Sequence, residues 1–216
     1  TLHGVGTEEP RMTSLLKSLI LAMVVATTAT AARAEPLAAG LEAQGTTRAP
    51  IGWVDFCDRH PDECRGPALA AEMVVLSKRT RKLIETINRT INHRIRPVSD
   101  LDHHGTLERW SYPDDGKGDC EDYVLEKRRQ LIAAGLPRQA LLITVVRDLK
   151  GDGHSVLTVV TDKGDLVLDN QEPDVTPWSE TGYRFVKRQS AEHPDRWVSL
   201  GGIETAQSVA TLLRRR

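Results

Sequence analysis

The chain has 216 residues, enough for one domain with a real core. Its 29 Lys and Arg against 30 Asp and Glu leave a formal net charge of −1, so no overall field favours nucleic acid or an anionic membrane. Aromatic residues are only 4 % of the chain, but four of them are Trp, so each of the four has to be read individually.

The first segment reads as an address rather than part of the fold. From Met12 the chain runs MTSLLKSLILAMVVATTATAARAEP, with one basic residue, Lys17, and an apolar run over 19–26. Ala32-Arg33-Ala34 fits the small-x-small pattern of a signal-peptidase site. The run is shorter than the roughly 20 apolar residues a membrane-spanning helix needs. Residues 1–34 are therefore expected to be upstream sequence plus a removed signal peptide, and the mature chain to work in the periplasm. Residues 35–50, rich in Ala, Gly and Thr, read as a flexible lead-in; 51–200 as the folded domain; and 201–216 as a tail, with a short amphipathic helix as one reading.

Export changes the reading of the three cysteines, Cys57, Cys64 and Cys120. In an oxidising compartment an even set pairs and an odd one is left over. Cys57 and Cys64 stand seven apart in FCDRHPDEC, where Pro61 favours a turn, so they are the economical pair. Cys120 is then the free thiol, either buried and inert or reactive for a purpose.

Over 67–95 Leu69, Met73, Leu76, Leu83, Ile87 and Ile91 recur at three- and four-residue steps, which predicts one long helix ending before Pro97. Residues 99–118 are polar and loop-like, with His103, His104, Trp110 and Tyr112 among them. Adjacent histidines point in different directions and lack a zinc-type partner set, so a loop or pocket role is expected for them. A second helix follows from Cys120 and stops at Gly135 and Pro137. Its Lys127-Arg128-Arg129 reads as a solvated face. The period then changes. ALLITVV, HSVLTVVT, LVLDN and YRFVKRQ predict strands, with DKGD as a turn between two of them. Helices followed by an antiparallel sheet indicate an α+β fold.

Cys120 opens its helix, where free backbone N–H groups and the positive end of the macrodipole favour thiolate and can hold an oxyanion. His154 opens one strand and Asp169 closes the next, an order that suits a thiol nucleophile, its proton carrier and an orienting carboxylate. A two-residue turn at Lys163-Gly164 would set Asp169 across from Thr158, about 13 Å along the strand from His154. Bringing the two together then requires a longer turn, a bulge or strong twist. Asp119 is a good N-cap, and Glu121 and Asp122 are ordinary first-turn acids. Trp110 could pack in the core or line a substrate cleft.

The wording of GDCEDYVLEKRRQLIAAG, GHSVLTVVTDKGDLVLDNQ and TGYRFVKRQS resembles the bacterial transglutaminase-like cysteine proteinase family, of which the LapG-type periplasmic adhesin proteases are members. HHGTLERW and FCDRHPDEC fit the same resemblance, which covers roughly residues 50–200. It implies a papain-like α+β fold with N-terminal helices on an antiparallel sheet and a triad of Cys120, His154 and Asp169. It also implies endoproteolysis of a large surface adhesin in biofilm control, and restraint by an inner-membrane cyclic-di-GMP receptor. Calcium dependence is implied too, with Asp119 and Glu121 as ligands. Two side chains are too few for Ca²⁺, so main-chain oxygens, water and Asp102, Asp115 or Asp122 would have to complete the shell. Acyl transfer by a transglutaminase or amidase, and a non-catalytic periplasmic module, are the alternatives.

Overall fold

The structure, a computed structural model, describes residues 40–204; the expected signal segment and most of the expected tail lie outside the described residues. In chain order the elements are β1 (Thr46–Thr47), α1 (Ile51–Arg59), α2 (Pro61–Cys64), α3 (Lys78–Arg94), β2 (Arg96–Pro97), α4 (Asp100–His104), β3 (Lys117–Gly118) and α5 (Cys120–Ala133). The strands β4 (Leu141–Arg147), β5 (Gly153–Val159), β6 (Leu166–Leu168), β7 (Thr176–Pro177), β8 (Arg184–Gln189) and β9 (Trp197–Glu204) follow. Among the described residues seven strands form one antiparallel sheet in the order β1-β9-β8-β4-β5-β6-β7, and β2 pairs with β3 in a short parallel bridge. Helices first and an antiparallel sheet second is the α+β arrangement that the period change predicts. No helix among the described residues is long and apolar enough to cross a membrane.

The helices cover one face of the sheet. Ile84, Ile91, Val124, Leu125 and Leu131 pack against Leu141, Ile143, Leu157 and Leu168, with Trp53, Trp110 and Trp197 in the same core. A smaller core on the other face holds Leu41, Val146, Val156, Val167, Tyr183 and Phe185. Leu41 makes part of the lead-in a structural element: its N–H donates to Asp165 Oδ2 at 2.9 Å and its carbonyl accepts from Arg188 Nη2 at 2.7 Å. At the other end Gly201 to Glu204 complete β9 rather than starting a tail.

Two sequence expectations change. The helix predicted over 67–95 begins only at Lys78, where the Ser77 side chain accepts from Thr80 N–H at 3.1 Å. Before it the chain is extended: Val74 exchanges main-chain hydrogen bonds with Val160 and Asp162, and Leu69 and Met73 are exposed. β-Branched Val74 and Val75 favour that conformation over helix. Residues 51–59 and 61–64 are helical, and Cys57 and Cys64 form a disulfide between them, with Cα atoms 5.6 Å apart.

The second change concerns the basic run on α5. Lys127 and Arg128 are buried, and of the three only Arg129 is exposed. Arg128 donates to the Leu141 carbonyl at 3.1 Å and to Glu63 at 3.1 Å, and Glu63 also accepts from the Tyr112 hydroxyl at 2.7 Å. Burial, eased by Asp169, pushes the Lys127 ammonium down to about 7. The α5 helix is enclosed on most sides, so a basic triplet there is not a solvated face.

The disulfide closes a short loop and ties α1 to α2, whose Glu63 grips α5. Replacing both Cys57 and Cys64 by Ser is expected to lower stability by about 2–3 kcal/mol, read as a drop in Tm. Reductant should lower the Tm of the native chain to a similar extent and leave that of the double variant unmoved.

Candidate active site

The N-terminus of α5 is built by short-range chemistry. Asp122, in the first turn, accepts from the N–H of Asp119 and from Ser111 N–H at 2.6 Å. This closes the helix start and straps the incoming segment to it, half of a capping box. Gly118 is required there: a Cβ on it would lie 2.6 Å from Asp122 Cβ. Gly135, with φ of 92°, turns the chain off at the far end, where Leu136 N–H reaches the Leu131 carbonyl.

Cys120 is the first residue of α5 and is partly exposed. Its thiol donates to Glu121 Oε2 at 3.0 Å, and Glu121 Oε1 accepts from Ser155 Oγ at 2.9 Å. Burial first, then the Glu121 charge and hydrogen bond, then Asp119, push the thiol well above its ordinary range; the Ser155 main-chain N–H works against them. The sulfur is thus tied to the residue next to His154 in β5, through Glu121, and its hydrogen bond goes to Glu121 rather than to His154.

The structure brings His154 and Asp169 into direct contact. His154 Nε2 lies 2.8 Å from Asp169 Oδ1, with both side chains buried. The register explains how. Leu157 pairs with Leu168 and Val159 with Leu166, so continuing the ladder sets Asp169 across from Val156. That is two residues from His154, or about 7 Å along the strand, half the separation a two-residue turn would leave. The connection is longer than two residues. Thr161 Oγ1 organises it, accepting from Lys163 N–H at 3.0 Å and donating to the Gly164 carbonyl at 2.6 Å. Asn92 of α3 holds the Asp169 carbonyl at 2.7 Å. His154, hydrogen-bonded and opposing-charge contacts keep the Asp169 carboxyl low against the effect of burial. With Nε2–H donating to Asp169, ring nitrogen Nδ1 is left as the acceptor; Gln171 Nε2 lies 3.4 Å from it.

A cleft of about 230 Å³ opens beside His154, lined also by Glu108, Trp110, Glu121 and Ser155. Trp110 is both core and cleft wall: it is 1 % exposed, and its indole N–H donates to Glu108 at 2.7 Å.

The acids next to Cys120 divide. Asp119 and Asp122 converge with Asp100 of α4, a residue the sequence reading did not single out, and the ligand oxygens of the three lie within 4.8 Å of one another. Asp100 accepts from Arg109 N–H, which brings it there. Glu121 instead serves the thiol and Ser155. Asp102 caps its own helix with Ser99, and Asp115 pairs with His103 at 2.8 Å. His103 and His104 stack on each other with ring centroids 3.9 Å apart. Asp119 Oδ1 and Asp122 Oδ2 are buried with no hydrogen-bond partner. Burial, reinforced by the neighbouring acids, pushes Asp119 up to about 9 and Asp122 to about 7. Three converging carboxylates, two of them with an orphaned buried oxygen, fit a hard divalent cation, with main-chain oxygens and water supplying the rest of a six- to eight-oxygen shell.

The family model of the bacterial transglutaminase-like cysteine proteinases, BTLCP, matches residues 43–205. No curated protein matches the chain. Among solved structures it is similar to calcium-bound LapG of Legionella pneumophila, with 21 % identity over 77 % of this chain and 90 % of that one and a TM-score of 0.49. EGTA-treated LapG of the same organism gives 22 % identity over 76 % and 88 %, with a TM-score of 0.48.

Because Asp119 and Asp122 hold protons more tightly folded than unfolded, the folded chain binds more protons above about pH 4. Stability then falls as pH rises through that window; His104, lowered by burial and by His103, pulls the other way below its ordinary range, and Lys127 only above about pH 7. In chelator the Tm is expected to fall between about pH 5 and about pH 7, and added Ca²⁺ should flatten the slope. A Tm in chelator that rises across the window would contradict this.

Proposed function

Because the chain belongs to the bacterial transglutaminase-like cysteine proteinase family, and so is a cysteine peptidase of α+β, transglutaminase-like fold, we propose that Cys120, His154 and Asp169 are its catalytic triad. The observation that carries this is the buried His154–Asp169 hydrogen bond, which commits Nε2 and leaves Nδ1 to act as the base, in a chain whose free cysteine stands at a helix N-terminus and is linked through Glu121 to Ser155, the neighbour of His154. Cys120 turns from Glu121 towards Nδ1 and attacks a peptide carbonyl as thiolate. Its own main-chain N–H, unclaimed in the first turn of α5, faces the developing oxyanion. His154 gives the proton to the leaving amine, while Asp169 fixes the ring tautomer and stabilises the imidazolium. A thioester acyl-enzyme remains, and water, activated by the same imidazole, releases the second product and returns the thiol.

Calcium is the cofactor that the carboxylates fit. Asp100, Asp119 and Asp122 would hold it, and when bound it supplies positive charge beside Cys120 that offsets the surrounding acids. The substrate is a protein, as a peptidase family implies. The finer reading takes it as a large cell-surface adhesin, cut in the periplasm under an inner-membrane cyclic-di-GMP receptor. The family resemblance of the motifs supports this, and the Cys57–Cys64 disulfide suits an oxidising compartment.

The test is cleavage of exported candidate proteins by the native chain and by Cys120→Ala, each with Ca²⁺ or with chelator. Cys120→Ala is expected to lose about 10⁴-fold or more of its turnover with Tm unchanged. Chelation is expected to depress cleavage by the native chain. A mutant that still cleaves refutes the triad; indifference to chelator removes calcium alone. Incorporation of a labelled amine into a glutamine peptide, without cleavage, would move the reading to acyl transfer.

A further inference from the structure

Asp169 has both carboxylate oxygens claimed. Oδ1 accepts from His154 Nε2 and, at 2.8 Å, from the main-chain N–H of Gln171, two residues on. Oδ2 accepts from the Tyr183 hydroxyl at 2.7 Å. Tyr183 lies just ahead of β8, which β4 and β5 separate from β6 in the sheet, so this bond reaches across the face carrying the smaller core. The residue is 3 % exposed, packed among Val146, Val156 and Phe185. Its ring stands edge-on to His154, with centroids 6.0 Å apart and planes at 84°. Burial and the Asp169 charge push the phenol far up, so it remains a donor wherever the carboxylate is ionised.

The terminal torsion of an aspartate is soft. Contacts on Oδ1 alone leave the carboxylate free to pivot, carrying the ring plane of His154 with it. Behind Oδ2 lies a cavity of about 200 Å³ whose wall includes Glu172, Asp174 and Glu180 beside Tyr183 and Asp169. Without the phenol, Oδ2 would open to water and to those like charges; Lys127, from α5, is the cation whose charge reaches Asp169.

We propose that Tyr183 is a positioning residue of the peptidase: its hydroxyl locks the rotation of the Asp169 carboxylate and, through it, the orientation and tautomer of His154. The inference rests on the triad reading. Tyr183 touches no reacting atom, and its contribution is to hold imidazole where Nδ1 meets sulfur. Losing such alignment costs up to about 10²-fold in rate.

Two measurements on the full chain separate this from a packing role. In Tyr183→Phe, kcat is expected to fall by about 10–100-fold with KM close to native, since only transition-state geometry is lost. In a Cys120→Ala background, the proton of the His154–Asp169 hydrogen bond is followed by low-field NMR. Adding Tyr183→Phe is expected to shift that resonance and speed its exchange with water. Should the phenylalanine variant fail to fold, Tyr183 replaced by isosteric 3-fluorotyrosine, a stronger donor, is expected to move the resonance upfield. An unmoved resonance overturns the proposal, even if kcat falls, because packing alone would then explain the loss. The NMR readout needs no turnover. A resonance that responds to Tyr183, in a chain whose cleavage is independent of Cys120, would sink the triad and leave the Tyr183–Asp169–His154 coupling standing.

Discussion

Four carboxylates and one thiol share the first turn of α5 and its immediate surroundings, and the rest of the site follows from how that crowding is resolved. Buried charge without a partner is expensive. Asp100, Asp119 and Asp122 converge on one side, and the chain's own answer is to hold protons there. Glu121 faces the other way and takes its hydrogen bonds from Cys120 and Ser155. The same acids are also mechanical parts. Asp122 straps Ser111 to the helix start and Asp100 holds Arg109, so the segment that carries Glu108 and Trp110 into the cleft wall is anchored by the groups a cation would neutralise. A cation held there would therefore be linked to the cleft through the backbone as well as through charge.

The second support is the sheet. β4 and β5 pair along their full lengths, and the tight Asp148–Asp152 turn between them places His154 one residue into its strand. The next connection, knotted up by Thr161 and clamped by Val74, brings Asp169 back to within reach. Asn92 of α3 then fixes the Asp169 backbone from the helical side. Helix and sheet layers thus meet at the histidine–aspartate pair, and neither layer alone would fix it.

Much of this was legible in the residues. The strands announced themselves through β-branched alternation, and α5 through its Gly-Asp-Cys opening and Gly135 stop. What stayed hidden was anything set by contacts distant in sequence. Leu69 and Met73 match a helical period, but no capping residue precedes them; the cap is Ser77, and the β-bridge from Val74 to Thr161 keeps the earlier stretch extended. Lys127 and Arg128 look like surface charges until the Leu141 carbonyl and Glu63 are folded against the helix. Asp100 sits 19 positions before Asp119 with nothing local to mark it; only the turn of α4 carries it into the cluster. Asp169 could be picked by its order in the chain, but its register depended on a connection whose length is governed by one threonine hydroxyl.

The Glu121 contact to sulfur has a consequence for how this chain matures. A polypeptide with three cysteines has three ways to form one bridge, and two of them would consume Cys120. Disulfide exchange proceeds through thiolate attack, so a sulfhydryl kept protonated by an adjoining anion is a slow participant. Where no cation offsets those acids, the collar at residue 120 makes this sulfur a slow partner for exchange with the Cys57–Cys64 linkage, and for oxidants that react with the ionised form.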